Sequence, residues 1–111
     1  MTEAEAIVQR QLEAYNARDL EAFLACYADD ARLWRAPNTL TESGKEALRA
    51  RYRRRFDGAP SLHAKIVRRI AFDRFVVDHE RVTGVPEGVL EAVVTYEVVG
   101  GRIANAWFLL P

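Results

Sequence analysis

Two acidic side chains, Asp78 and Glu80, stand in the stretch "FVVDHERV" at residues 75–82. It belongs to a segment that is rich in Val and Phe and is bounded by a turn, which predicts a β-strand, and residues two apart in a strand point to the same face. Two like charges on a poorly solvated face resist simultaneous ionisation, so one of the two carboxyl groups keeps its proton near neutral pH. Such a group can act as a general acid or a general base. We therefore predict Asp78 and Glu80 as catalytic residues.

The turn "GVPEG" at residues 84–88 predicts a hairpin that fixes the neighbours of these acids. One register brings opposite charges together across the two strands, pairing Arg81 with Glu91, His79 with Val93, and Val77 with Thr95. The opposite face then carries the two acids together with Leu90, Ala92, Val94 and Tyr96. A slip of one residue would reverse every assignment, so the prediction depends on this register.

Other chemical groups in the sequence predict no further centre. Asp29 and Asp30 in "YADDARLW" are interpreted as a turn between a helix and a strand, because Asp readily forms side-chain bonds to the backbone there. Cys26 is the single cysteine, which excludes an internal disulfide. His63 and His79 are expected to face outward and lack a second histidine at ligand spacing. We expect no metal and no cofactor.

Composition excludes several classes of function. The 111 residues are enough for one domain, residues 1–111, and half of them are apolar. Lys plus Arg equals Asp plus Glu at 16 each, so no general field attracts nucleic acid or an anionic membrane. The N-terminal segment is acidic, and no apolar run reaches membrane-spanning length. These features predict a cytoplasmic protein without nucleic-acid or membrane partners.

The first half of the sequence predicts three helices. Thr2 and Glu5 have the spacing of a capping box, and Asp19 can cap a second helix. The second helix would have one apolar face, formed by Leu20, Phe23, Leu24 and Tyr27. Ser43 and Glu46 suggest another capping box, which would open a third helix through about Phe56.

The second half predicts strands, which follow one another at residues 61–72, 74–84, 89–99 and 102–110. A short strand is also expected at residues 31–35, after the second helix. Helices followed by a run of strands are typical of an α+β fold.

Three segments of this pattern resemble a known family. They are "YNARDLEAFLACYADDARLW", "SGKEAL" and "GGRIANAWFLL". The chain resembles the SnoaL-like and ketosteroid-isomerase-like families of the nuclear transport factor 2-like superfamily. The resemblance implies a cone: three N-terminal helices packed in a strongly curved, mostly antiparallel sheet with one cavity, usually in a homodimer. It implies little about function, because the superfamily contains both enzymes and non-catalytic binding modules.

The residues that serve ketosteroid isomerases are absent at the matching positions. Those enzymes use an Asp base, with a Tyr and a protonated Asp that stabilise the oxyanion. A gapless alignment through "ADDA" puts Arg35 at the base position and Gln11 at the Tyr position. Val94 falls near the position of the second Asp. The resemblance therefore does not imply steroid isomerisation.

The same alignment suggests where the cavity lies. Because Val94 matches a cavity position, the face with Asp78 and Glu80 is expected to point inward. Arg35 would also point into the cavity, where it could pair with one acid or clamp a substrate carboxylate. The predicted wall residues are Tyr15, Tyr52, Phe56 and Tyr96. The predicted function is binding of a small, largely apolar molecule with acid/base chemistry of the isomerase, dehydratase or hydrolase type. The alternative is a non-catalytic ligand-binding or dimerisation module.

Two further patterns concern the surface. The last strand is apolar on both faces, so a homodimer through the outer sheet face, including Trp107, is expected. The basic run "RARYRRRF" at residues 49–56 is interpreted as a solvated helix face. A second interpretation remains open, in which Arg51 or Arg55 reaches the cavity mouth and attracts anionic ligands.

Overall fold

The computed structural model describes all 111 residues as three helices and six strands. Their order is α1 (Glu3–Ala17), α2 (Leu20–Ala25), β1 (Tyr27–Arg35), β2 (Thr39–Ser43), α3 (Lys45–Gly58), β3 (His63–Phe72), β4 (Phe75–Val85), β5 (Gly88–Val99) and β6 (Arg102–Leu109). This order confirms the predicted α+β class. None of the helices is long and apolar enough to cross a membrane.

The six strands form a single curved sheet in the order β2-β1-β6-β5-β4-β3. All neighbouring strands are antiparallel except β1 and β6, which run parallel. The inner face of the sheet packs against the helices around one cluster of 25 buried apolar residues. The predicted cone of three helices in a mostly antiparallel sheet is confirmed.

The helix starts follow the sequence signals in two of three cases. Thr2 and Glu5 form the predicted capping box, and the Asp19 carboxylate accepts a hydrogen bond from the Ala22 amide. The predicted box of Ser43 and Glu46 is wrong, because Ser43 is the last residue of β2 and pairs with Arg32. Helix α3 begins after Gly44, whose φ of 92° is unfavourable for other residues.

The interpretation of Asp29 and Asp30 as a turn is also wrong. Strand β1 begins at Tyr27, which pairs with Ile103 of β6, so both acids lie within a strand and are exposed. The pairing of β1 with β6 shifts between Tyr27 and Arg32, so both acids lie in an irregular part of the strand. Asp29 pairs with Lys45 and Arg102, and no hydrogen bond joins the two acids.

The predicted register of β4 and β5 is confirmed. Arg81 pairs with Glu91, His79 with Val93, and Val77 with Thr95. His79 therefore points outward, where its ring nitrogen lies 3.0 Å from Glu91. Asp78 and Glu80 share the inner face with Val76 and Val82, which are buried.

Two bulges change the face of residues further along the strands. In β3 the pairing with β4 shifts between Ile66 and Arg68, so Val67 is an extra residue. In β6 the pairing with β5 shifts between Asn105 and Ile103, which leaves Ala104 as the extra residue. As a result, Ile103 is fully buried although simple alternation from Trp107 places it on the outer face.

Candidate functional site

The curved sheet and the helices enclose a cavity of about 860 Å³. Four of the residues predicted from sequence line it together with Glu80: Arg35, Tyr15, Tyr52 and Tyr96. Much of the wall is apolar, with contributions from Leu12, Phe23, Val82, Leu90, Ala92 and Phe108. The interior is therefore suited to a small molecule with a large apolar surface.

Phe56 is the predicted wall residue that does not reach the cavity. Its ring is buried behind the wall, 5.5 Å from the ring of Tyr15 and 5.9 Å from that of Phe23. The contacts are edge-on, which is a favourable geometry for aromatic pairs. Phe56 thus supports the wall from behind, whereas Tyr15 and Tyr52 line the cavity.

Glu80 has the most unusual environment of the acids in the chain. Its cross-strand neighbours are Ile66 on β3 and Ala92 on β5, neither of which can donate a side-chain hydrogen bond. Burial, and then the nearby Asp78 carboxylate, raise the pKa of Glu80 to about 7. A carboxyl group with this pKa exchanges protons readily near neutral pH.

Asp78 lies two residues away on the same face and is bound in a different way. Its side chain is only 1% exposed and does not line the cavity. Arg69 donates two hydrogen bonds to it, from Nε to Oδ1 at 2.6 Å and from Nη2 to Oδ2 at 2.9 Å. Arg69 also donates to Gln9 Oε1 of α1 at 2.8 Å. The predicted pairing of an acid with Arg35 is therefore corrected, since the partner of Asp78 is Arg69.

Sequence reasoning missed Arg69 because of the bulge at Val67. Simple alternation from His63 and Lys65 places Arg69 on the outer face, but the extra residue turns it inward. A signal was available at the other end of the strand. If Asp73 and Arg74 form a two-residue turn, then counting back from this turn pairs Arg69 directly with Asp78.

A chain of buried polar groups reaches the cavity from α1. The Tyr27 hydroxyl donates to Gln11 Oε1 at 3.2 Å, and Gln11 Nε2 donates to the Tyr96 hydroxyl at 3.4 Å. Gln11 and Tyr96 line the cavity although each is at most 4% exposed. Burial raises the pKa of Tyr96 well above its usual value, so the phenol keeps its proton. Because Gln11 donates to the Tyr96 oxygen, the Tyr96 proton is left for another acceptor.

The cavity mouth is rich in arginine. Arg51, Arg54 and Arg55 from α3 line it together with Arg35 from the end of β1. This position agrees with the second interpretation of the basic run, in which Arg51 or Arg55 reaches the cavity mouth. Of the other arginines of the run, Arg53 is exposed and Arg49 pairs with Glu21 and Glu46. No three His, Cys, Asp or Glu side chains come together in a way that could hold a metal ion.

The comparison with known families agrees with this geometry. A family model described as the SnoaL-like domain matches residues 8–106. No protein among the curated sequences matches the chain.

Solved structures with the same architecture cover almost the whole chain. An uncharacterised cystatin-fold protein from Novosphingobium aromaticivorans is 24% identical, with a TM-score of 0.87 and 98% of each chain covered. A SnoaL-like protein of unknown function from Burkholderia thailandensis is 24% identical, with a TM-score of 0.82 and coverages of 98% of this chain and 94% of that one. A protein from Kribbella flavida provisionally assigned as a ketosteroid isomerase is 19% identical, with a TM-score of 0.84 and coverages of 98% and 78%. At these identities the likeness describes the fold alone.

Proposed function

Because the chain belongs to the SnoaL-like domain family, we propose that it binds a small, largely apolar molecule in its cavity and catalyses proton transfer on that molecule through Glu80. One observation carries this proposal. Glu80 presents a carboxyl group to an apolar cavity, without a basic partner and with its pKa raised to about 7. A carboxyl group whose pKa is perturbed by burial and by a like charge, and which faces a cleft, is a candidate for acid/base catalysis.

The proposed reaction is of the isomerase type. The Glu80 carboxylate takes a proton from a carbon next to a carbonyl group, and the electron pair of the broken C–H bond moves onto the carbonyl oxygen. The Tyr96 hydroxyl, held by Gln11, donates a hydrogen bond to that oxygen. In a substrate whose deprotonated carbon also adjoins a C=C bond, Glu80 then returns the proton to the far carbon of that bond. The electron pair of this C=C bond takes the proton, a new C=C bond forms next to the carbonyl carbon, and the electron pair on the oxygen re-forms the carbonyl group. The Kribbella flavida relative, which shares the fold, is provisionally assigned to this class of reaction.

Asp78 has no direct part in this proposal, although it was predicted as catalytic. Its carboxylate is bound by Arg69 and lies away from the cavity wall. Its contribution is indirect, because its charge helps to raise the pKa of Glu80. In the proposed site Asp78 is therefore a positioning residue.

The proposal is tested with an activated carbon acid as a probe. 5-Nitrobenzisoxazole is small and apolar, and loss of its C–H proton to a base breaks the N–O bond and releases a coloured phenolate. We expect Glu80→Gln to lower the rate by about 10²–10⁴-fold, the range typical of a general base. The wild-type rate should rise with pH through about pH 7, as Glu80 loses its proton.

The matched control is Glu13→Gln, which removes an exposed carboxylate of α1 that lies outside the cavity. This variant should retain the wild-type rate and pH profile. If Glu80→Gln and Glu13→Gln behaved alike, Glu80 would not be the base. Binding of N-phenyl-1-naphthylamine, an apolar dye that fluoresces on leaving water, checks that each variant retains its cavity.

The alternative function is that of a non-catalytic ligand-binding module. It is favoured by the gapless alignment through "ADDA", which puts Arg35 at the base position of the isomerases and Val94 near the position of an oxyanion donor. Under this alternative the wild-type protein binds the dye but does not accelerate loss of the proton from the probe. Glu80→Gln would then change neither measurement.

We further propose that two copies associate through the outer sheet face in the cytoplasm. Trp34 and Trp107 are paired neighbours of β1 and β6, and both are only partly buried in the single chain. Leu109 on the same face is 58% exposed. We expect light scattering to give the mass of a dimer, and Trp107→Glu to give that of a monomer. A monomeric wild-type protein would contradict this arrangement.

A further inference from the structure

The cavity mouth has more guanidinium groups than acids that could pair with them. Arg51 binds Glu42 at 2.6 Å, and Arg55 binds Glu87 through two hydrogen bonds of 3.1 Å. These ion pairs leave the guanidinium groups of Arg35 and Arg54 without an acidic partner.

The remaining acids of the cavity do not balance this charge. Glu91 pairs with His79 at 3.0 Å and lies 3.7 Å from Arg81, both on the outer face of the sheet. Glu80 lies on β4 among apolar neighbours and makes no ion pair. A chain with no net charge thus has a local excess of positive charge at its cavity mouth.

Arg35 and Arg51 are both neighbours of Phe108, one along the sheet and one from α3. Arg35 is the register partner of Phe108 in the β1/β6 ladder, so the two side chains share the inner face. The Arg51 guanidinium lies 5.4 Å from the centre of the Phe108 ring and 5.5 Å from that of Tyr52. These contacts and the bond to Glu42 hold the Arg51 side chain in place. Only its Nη1 is used by Glu42, so the donors on Nε and Nη2 remain for a ligand.

Arg54 strengthens the same region. It follows Arg51 by three residues on α3, and residues at this spacing are neighbours on a helix surface. Arg54 is exposed and lines the cavity, so it adds charge at the mouth without filling the apolar interior. Guanidinium groups with unused donors bind carboxylates through paired hydrogen bonds, and they also stack on aromatic rings, as Arg51 does here.

We propose that the ligand of this protein is a small apolar molecule with one terminal carboxylate, which Arg35 and Arg51 bind at the mouth while Arg54 adds to the positive field. The apolar body of the ligand then lies along the wall toward Glu80. This inference rests on the proposed function, since it requires that the cavity bind a small molecule. It adds the chemical class of that molecule and the end by which it is held.

Two isosteric competitors test the inference. N-Phenyl-1-naphthylamine reports occupancy of the apolar cavity, and 2-naphthylacetate and the neutral 2-naphthylacetamide are titrated to displace it. At about pH 8 the acid is fully ionised. We expect Arg35→Gln and Arg51→Gln each to weaken binding of the acid by about tenfold or more, as for loss of a hydrogen bond to a charged group. Binding of the amide and of the dye should not change.

The control is Arg53→Gln, which removes the same charge from α3 at an exposed position outside the cavity. It should leave the affinity for the acid unchanged. Equal losses in Arg35→Gln and Arg53→Gln, or no loss in Arg35→Gln and Arg51→Gln, would overturn the carboxylate assignment and leave the proposed function standing. If the wild-type protein bound neither dye nor competitor, the proposed function would fail and the inference with it. Since Arg51 makes an ion pair, dye binding by Arg51→Gln shows that this variant is folded.

Discussion

Asp78 and Glu80 lie two residues apart on the same face of the same strand, yet they have opposite surroundings. Arg69 lies opposite Asp78 and binds both of its carboxylate oxygens, whereas Ile66 lies opposite Glu80 and offers no donor. Asp78 is almost completely buried and does not line the cavity, whereas Glu80 reaches it. The first acid is therefore a structural group and the second is available for chemistry.

The difference arises in β3 rather than in β4. Between Ile66 and Arg69 the bulge at Val67 shifts the pairing by one residue, so that an apolar residue and an arginine both point inward. Without the bulge, Arg68 would take the place of Arg69 opposite Asp78, so Asp78 faces an arginine in either case. Glu80 has no such neighbour in either strand beside it. The neighbours across the sheet, and not the acids themselves, decide which carboxylate remains unpaired.

The largest expected effect comes from breaking the buried pair. Arg69→Met leaves the Asp78 carboxylate buried without its partner, and we expect a loss of about 3–5 kcal/mol in the free energy of unfolding. Urea denaturation at neutral pH measures it. The double variant Asp78→Val with Arg69→Met removes both charges and should recover most of the loss. A single variant as stable as the wild type would contradict the structural role of this pair.

Glu80 should have the opposite effect on the free energy of unfolding: the ionised Asp78–Arg69 pair stabilises the fold, whereas ionisation of Glu80 destabilises it. Its pKa is about 7 in the folded chain against 4.5 for the free group. Between these values the unfolded chain has released a proton that the folded chain still holds, so stability falls as pH rises from about 4.5 to 7. Above pH 7 the ionised Glu80 costs at most roughly 3 kcal/mol, less where the cavity admits water.

Glu80→Gln removes this cost. The variant should be more stable than the wild type above about pH 7 and similar to it near pH 4.5. Urea denaturation across this range measures the difference, and Glu13→Gln serves as the control for loss of an exposed carboxylate. A stability difference that did not change with pH would show that Glu80 has an ordinary pKa.

Much of the architecture was predictable from local pattern. The Thr2 cap, the Asp19 cap and the charge pairing of Arg81 with Glu91 are each specified by residues close together in the sequence or across one hairpin. The family resemblance supplied the cone itself, which the SnoaL-like match over residues 8–106 supports.

The errors share a physical cause, which is pairing between distant segments. Asp29 and Asp30 have turn preferences, but they lie within β1, where its pairing with β6 shifts between Tyr27 and Arg32. Ser43 has the spacing of a cap, but β2 holds it as an edge-strand residue beside β1. A bulge has no sequence rule as strong as that of a tight turn, so the inward orientation of Arg69 followed only from counting back from Asp73 and Arg74.

The smallest expected effect is a shift of the pH profile. The Asp78 charge is the second cause of the raised pKa of Glu80, after burial. Asp78→Asn removes that charge and leaves the Arg69 cation without its counter-charge. Both effects favour the ionised form of Glu80. We therefore expect the midpoint of the pH–rate profile of 5-nitrobenzisoxazole cleavage to move to lower pH.

The control is Asp57→Asn, which removes an exposed acid outside the cavity and should leave the midpoint in place. A midpoint that moved to higher pH, or not at all, would show that Asp78 and Glu80 are not electrostatically coupled, and the contrast between the two acids would then rest on burial alone.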